Sequence, residues 1–292
     1  MQAGRQQPFD DGGGSIAVQF TICGSAASEG WPALFCRCHA CAEARRRGGK
    51  DIRSRVTYAL GNRVHIDFGP DTYSQSLRLG LRLEEMEHLL VTHGHEDHWL
   101  PHELYYRRPG FSEVPSDSVL RVHGNERVLA LAREQLPRDL ALYRVELHPI
   151  RLWEPIDLGD GASAVAVRAA HSPDELCVNY VLFAGGATIL QGNDTGWYPD
   201  DTWEYLSGLK LDVVVLDCTY GKQESTQGHL GCSAVVRAKE HLAKLGALAE
   251  GCRFIANHFS HNGGWLQAEL EAYLTPRGVE VGYDGMTVEV GK

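Results

Sequence analysis

The sequence predicts an α/β protein in which helices cover the outside of two packed sheets. Short runs rich in Val, Ile and aromatic residues recur along the chain, and Gly, Asp, Asn or Pro punctuates most of them. Helical periodicity appears late, so strands dominate the first half and mix with helices in the second. There is no tandem repeat and no long linker, so residues 16–292 are expected to form one domain of the 292-residue chain.

In chain order, the polar, Gly-rich lead-in MQAGRQQPFDDGGGS (1–15) is expected to be disordered. The expected strands are IAVQFTIC (16–23), VTYAL (56–60), RVHIDF (63–68), HLLVTH (88–93), SAVAVRAA (163–170), NYVLFA (179–184), ATILQG (187–192), LDVVVLD (211–217) and RFIANH (253–258). Helical spacing of apolar residues predicts helices over CSAVVRAKEHLAKLGALAE (232–250) and GWLQAELEAYL (264–274), and over 127–145 with Pro137 interrupting.

Composition narrows the function. A formal net charge of −10 opposes general binding to a phosphate backbone, so nucleic acid is not an expected partner. No apolar run reaches the roughly 20 residues of a membrane helix, and the lead-in lacks a signal-peptide core. The expected compartment is the cytoplasm. There, the eight cysteines read as thiols and metal ligands before disulfides.

The strongest signal is THGHEDH (92–98), which follows the apolar strand HLLV. It places His93, His95, Asp97 and His98 in six positions where a strand gives way to a loop. Imidazole and carboxylate suit zinc, and also iron or manganese. A polar loop with chance histidines explains the pattern less well, because buried imidazoles and carboxylates are costly without partners. Further candidates stand at the ends of other strands: His171 in HSPDE, Asp194 in GNDTGW and His258 in RFIANH. Strand ends meeting on one edge would assemble a site from distant sequence.

On these residues the chain resembles the metallo-β-lactamase superfamily. Its His-x-His-x-Asp-His hallmark is present as His93, His95, Asp97 and His98, followed in order by His171, Asp194 and His258, and Asp67 of HIDFGPD matches an early strand-end Asp that buttresses the site. The resemblance covers roughly residues 16–290. It implies a four-layer αββα sandwich with two divalent ions (Zn, Mn or Fe) between the sheets. By resemblance, His93, His95 and His171 hold one ion, Asp97, His98 and His258 hold the other, and Asp194 bridges. Such a centre would acidify a shared water, and Asp97 would help orient it; this argues hydrolysis without naming the bond.

FCRCHACAEARRR (35–47) adds three thiolates, Cys36, Cys38 and Cys41, where tetrahedral structural zinc wants four ligands. His261, three residues after His258, is the expected fourth, with His39 as competitor. This pairing resembles the family of phosphodiesterases that accompany carbon–phosphorus lyase, in which an early Cys-x-Cys-x-x-Cys and a late His-x-Ser-His hold a structural zinc. Asp194-Thr195, VVVLDCTY and VGYDGM are further shared text. That resemblance matches His229, in QGHLGCS, to a proton donor; a surface histidine at a helix start is the competing reading. The loop CGSAASEGWPALFC departs from that family, so Glu29, Trp31 and Phe35 are expected to alter the pocket wall.

Of the crowded cations Arg45, Arg46, Arg47, Lys50, Arg53 and Arg55, the triplet is expected to be a solvated helix face. Arg53 and Arg55 are the better candidates for substrate capture. Cys23, Cys177, Cys218, Cys232 and Cys252 read as packing thiols, and His65, His88, His123, His148 and His241 as structural or surface residues. The expected function is therefore a dinuclear-metal phosphodiesterase acting on a small anionic cyclic phosphate or nucleotide-like substrate. The alternatives are an endonuclease of the tRNA 3′-processing type, a thioesterase or lactonase of the same fold, and a metal-dependent accessory protein without turnover. A homodimer is implied by the resemblance alone.

Overall fold

A computed structural model describes residues 18–136 and 139–291. The lead-in (1–15) and Pro137 lie outside the described residues. The β-type runs become two sheets of seven strands each. The first contains β1 (Val18–Gly24), β2 (Thr57–Leu60), β3 (Val64–Ile66), β4 (His88–Leu90), β5 (Leu120–Gly124) and β6 (Val145–Pro149). The second contains β7 (Pro155–Gly159), β8 (Ala162–Arg168), β9 (Val178–Ala184), β10 (Ala187–Gly192), β11 (Leu211–Asp217), β12 (Leu248–Asn257) and β13 (Glu280–Val281). The last strand, β14 (Met286–Val290), returns to the first sheet, whose order is β14-β1-β2-β3-β4-β5-β6; the second runs β13-β12-β11-β10-β9-β8-β7.

Alternation along the strands builds the layers. Val213 and Val215 of β11 face the first sheet, where they meet Ile22, Tyr58 and Ile66 in the core between the sheets. Val214 and Leu216 of the same strand point outward, under α4 (Asp200–Ser207), α5 (Cys232–Lys244) and α6 (Gln267–Leu274). A strand buried on both faces needs apolar residues at successive positions, so LDVVVLD lacks polar alternation. On the far side, Leu89, Val91 and Val122 pack against Val128 and Leu129 of α3 (Glu126–Gln135). The four layers are thus helix, sheet, sheet, helix, as expected. Each fully buried Ile or Leu contributes about 1.5–3 kcal/mol, which holds the strand ends in fixed positions. Two shorter helices complete the set used below: α1 (His39–Arg47), which packs on the outside of the second sheet, and α2 (Thr72–Leu79).

Helix boundaries depart from expectation in three places. The helix expected to reach residue 250 ends at Lys244, because Gly246 takes a left-handed φ of +66° and the chain re-enters the sheet at Leu248. The helix expected over 127–145 stops at Gln135, and Val145 already belongs to β6. The helix in 264–274 begins only at Gln267. Sequence reading also passed over β5, β6, β7, β13 and β14, several of which are short or carry charge on one face.

Candidate metal centre

The two sheets present their carboxyl-terminal strand ends on one edge. In the first sheet β3, β4 and β5 run parallel; in the second, β10, β11 and β12 run parallel, and β8 shares their direction through the antiparallel β9. The crevice outside such ends is where open α/β sheets place ligands. THGHEDH leaves β4 there, His171 follows β8, Asp194 follows β10 and His258 follows β12. Asp67, Asp194 and His258 each hold a left-handed backbone, with φ of +64°, +49° and +61°. For non-glycine residues this costs of order 1–3 kcal/mol, and it turns each side chain back towards the crevice.

The predicted residues meet in two groups. His93, His95 and His171 form one that could hold a metal ion, and Asp97, His98 and His258 form another. His93 Nε2 lies 2.9 Å from His95 Nδ1, which lies 3.3 Å from His171 Nε2. In the second group His98 Nε2 is 3.1 Å from Asp97 Oδ2. Asp194 stands between the groups: Oδ1 is 3.6 Å from His171 Nε2, while Oδ2 is 2.9 Å from His98 Nε2 and 3.0 Å from His258 Nε2.

The donor atoms fit divalent ions. His98 Nε2, His258 Nε2 and Asp194 Oδ2 are buried and close together, yet none makes a hydrogen bond. Unpartnered buried polar atoms are costly, and three whose lone pairs converge are suited to a common cation. Burial lowers the pKa of His93 and of His171 below the ordinary imidazole range, which favours the neutral, ligating form. Burial opposes ionisation of Asp97, but neighbouring His98 outweighs it and holds the carboxylate below its usual range.

The opposite ring nitrogens are held from behind, as ligating histidines require. His98 Nδ1 lies 2.7 Å from Asp67 Oδ2. Thr92 fixes Asp67 in turn, donating from N and Oγ1 to Oδ1 at 2.8 and 2.9 Å. His258 Nδ1 lies 2.8 Å from Thr219 Oγ1, and His171 Nδ1 lies 3.2 Å from the Gly228 carbonyl. The sequence singled out Asp67 but not its counterpart in the other sheet, Asp217 at the end of β11. Asp217 is fully buried and accepts from Thr219 N and Leu230 N at 3.1 and 2.8 Å. The available signal was the one read at Asp67: an apolar strand ending in Asp.

Asp217 also receives His229, whose Nδ1 lies 2.8 Å from Oδ2. His229 is not a surface residue: its ring lies edge-on to His171 at 4.8 Å and stacks on His258 at 5.7 Å between centroids. Burial disfavours its charged form, but the Asp217 carboxylate outweighs burial and pushes the pKa up to about 9.

Cys36, Cys38, Cys41 and His261 form a separate group that could hold a metal ion. His261 Nδ1 lies 3.7 Å from Cys36 Sγ and 3.4 Å from Cys38 Sγ. The backbone N–H groups of Cys38, Cys41 and Ala33 point at the sulfurs of Cys36, Cys38 and Cys41. Burial opposes thiolate formation at Cys38, but the Cys41 N–H and His261 draw its pKa down to about 6. The alternative ligand His39 opens α1 on its exposed side and stays outside the group.

Several side expectations change. Arg46 and Arg47 pair with Glu43, and Arg47 also with Glu269, so the triplet is a solvated face as expected. Arg53 is not a pocket residue. It is 3% exposed, donates to Ser25 Oγ and the Gly282 carbonyl, and lies over the Phe259 ring. Trp31 is buried in the outer core of the second sheet and cannot line a pocket, whereas Phe35 is fully exposed. Glu29 bonds Ser260 Oγ and lies 3.6 Å from His261 Nε2, beside the cysteine group.

A family model described as a beta-lactamase superfamily domain matches residues 62–258. Among solved structures, a diphosphatase of the PhnP family is 25% identical, with 94% of this chain and 98% of that chain covered and a TM-score of 0.73. Zn²⁺-bound PqqB from Methylobacterium extorquens is 19% identical over 93% and 100% of the two chains, at a TM-score of 0.70. The short form of human tRNase Z is 15% identical over 94% and 100%, at 0.62. The last two likenesses are of fold alone. No curated protein matches the sequence.

Proposed function

Because the chain belongs to the beta-lactamase superfamily, we propose that it is a metal-dependent phosphodiesterase acting on a small, anionic, phosphate-containing substrate. The observation that carries the reading is the convergence of two donor groups on Asp194, with unpartnered donor atoms of His98, His258 and Asp194 at its centre. In this reading His93, His95 and His171 would hold one ion and Asp97, His98 and His258 the other, with Asp194 placed between the two groups. Cys36, Cys38, Cys41 and His261 hold a structural zinc that ties the loop before α1 to the strand end carrying His258. The likeness to a diphosphatase supports phosphorus as the reacting centre. The net charge of −10 weighs against an RNA substrate. Five cysteines outside the zinc group, none in a disulfide, fit a reducing compartment and support a cytoplasmic location.

When bound, two divalent ions would supply acidified water and draw charge from the phosphate. The chain's own residues do the rest. Asp97 lines the cleft and orients the attacking water by accepting its hydrogen. His229, anchored through Nδ1 by Asp217, is left with Nε2 to protonate the departing alkoxide. Asp67, Thr92 and Thr219 keep the ligating rings from rotating.

The test is an activity screen of cyclic phosphates, nucleotide esters, thioesters and lactones on protein of measured metal content, with Asp194→Ala alongside. Phosphodiester hydrolysis that disappears in the variant together with loss of metal is the expected result. Turnover confined to thioesters or lactones would replace the substrate class. Full activity in Asp194→Ala would refute the site itself.

A further inference from the structure

Four of the imidazoles in the two donor groups are steadied through their second ring nitrogen. His98, His258 and His171 lean on Asp67, Thr219 and the Gly228 carbonyl, and His93 Nδ1 lies 3.0 Å from Thr92 Oγ1. His95 is the exception. Its Nδ1 lies among the other two rings of its group, and its Nε2 has no hydrogen-bond partner among the described residues. It is also the one exposed member of the two groups. A ligating ring that nothing holds directly has to be placed by its backbone.

That backbone is pinned on each side of His95. Downstream, the His95 carbonyl accepts from His98 N and Trp99 N at 3.0 and 2.9 Å. Upstream, the peptide joining His93 to Gly94 is fixed by a side chain that the reaction above leaves unused: Gly94 N donates to Glu175 Oε2 at 2.9 Å. The same oxygen accepts from Asn125 Nδ2 at 2.8 Å. Asn125 is buried, caps α3 by accepting from Val128 N at 2.9 Å, and donates to the Leu176 carbonyl at 2.8 Å, so the carboxylate is held on a rigid base. Gly94 is pressed against this base. An added Cβ would stand 3.0 Å from Arg127 Cγ, 3.1 Å from Leu131 Cδ1 and 3.3 Å from Glu175 Oε1.

Glu175 lies four residues after His171, in the connection between β8 and β9 of the second sheet. Gly94 and Asn125 follow β4 and β5 of the first. One carboxylate therefore ties the loop that carries His171 to the loop that carries His93 and His95. We propose that Glu175 is a positioning residue for the ion of the three-histidine group, setting His95 against His93 and His171 through the Gly94 N–H. This rests on the metal-dependent reading above.

The test dialyses the full chain against a chelator and titrates it with zinc against a chromogenic competitor, with total metal by elemental analysis. Glu175→Ala should weaken one site of the centre by about 10- to 100-fold, the range expected when the support of a ligand is removed. The other site of the centre and the cysteine-held zinc should keep their affinity. Asp97→Asn, which alters the other group, should weaken the other site and so assigns the two affinities. Glu175→Gln should bind as the native protein does, because its single carbonyl oxygen can still accept both N–H groups. The readout is a difference between sites within one preparation, so partial unfolding of a variant does not imitate it. Unchanged affinities in Glu175→Ala overturn the proposal. Equal weakening of both sites of the centre overturns it too, by making the role structural, and a Glu175→Gln as weak as Glu175→Ala does so by assigning the effect to charge. A native protein that takes up only the cysteine-held zinc refutes the two-ion centre itself, and the role of Glu175 with it.

Discussion

Replacing Asp217 by Asn tests whether His229 delivers a proton. The change keeps size and shape, so the two backbone donors, Thr219 N at 3.1 Å and Leu230 N at 2.8 Å, can still bond to Oδ1. The other oxygen becomes an NH₂ group. That oxygen now faces Thr219 Oγ1 at 3.0 Å and His229 Nδ1 at 2.8 Å. The hydroxyl can rotate and accept, but the imidazole must give up its Nδ1 proton and carry it on Nε2 as a neutral ring. One charge-assisted bond is lost, worth about 1.5–3 kcal/mol, which corresponds to roughly 10- to 150-fold in rate. The loss should depend on the leaving group. A 4-nitrophenyl ester departs without a proton and should be nearly unaffected, while a phenyl or alkyl ester should show the full deficit. Metal content should hold, because His258 Nδ1 bonds more closely to Thr219 Oγ1, at 2.8 Å, than to Asp217, at 3.4 Å. Equal losses for both esters with metal retained would refute proton donation by His229. Loss of metal would show that Asp217 acts through His258 instead.

Three further outcomes are expected. Cys38→Ser should lower the metal count by one and reduce the melting temperature while leaving part of the activity; an unchanged count by elemental analysis would sink the structural zinc. Gly69→Ala should impair turnover far more than folding, since an added Cβ would stand 2.0 Å from the Asp97 carbonyl oxygen and push that loop away; normal kcat would show that the loop yields freely. In metal-free protein, His229 has its pKa raised from 6.5 to about 9, so its stabilising pairing with Asp217 is complete below pH 6.5 and is lost as pH rises through about 9. The urea midpoint advantage of the native chain over His229→Gln should therefore shrink across that range, and a pH-independent difference would assign the effect to packing.

Much of this site could be read from local sequence because its parts are local. A strand buried on both faces must be apolar throughout, so LDVVVLD and ATILQG coincide with β11 and β10 residue for residue. Four candidate ligands in THGHEDH need only one turn to converge, and their chemistry declares itself in six positions. The same locality explains the errors. Apolar spacing continues past Lys244, but the left-handed Gly246 ends the helix and the second sheet takes up Leu248 onward as β12.

The amino-acid sequence by itself determined the layered α/β class and the types and chain order of the candidate ligands, since these follow from side-chain chemistry and short-range periodicity. Tertiary structure decided what no local pattern encodes. Cys38 meets His261 across 223 positions because the loop after β1 crosses to the end of β12, where Ala26 pairs with both Arg55 and Phe259. Asp217 became the anchor of His229 because the loop before α5 folds back over its own strand. Arg53 and Arg55, two residues apart, would share one face of a regular strand, but isolated bridges to different partners, Trp31 for Arg53 and Ala26 for Arg55, break that regularity: one side chain is buried and the other lines the cleft.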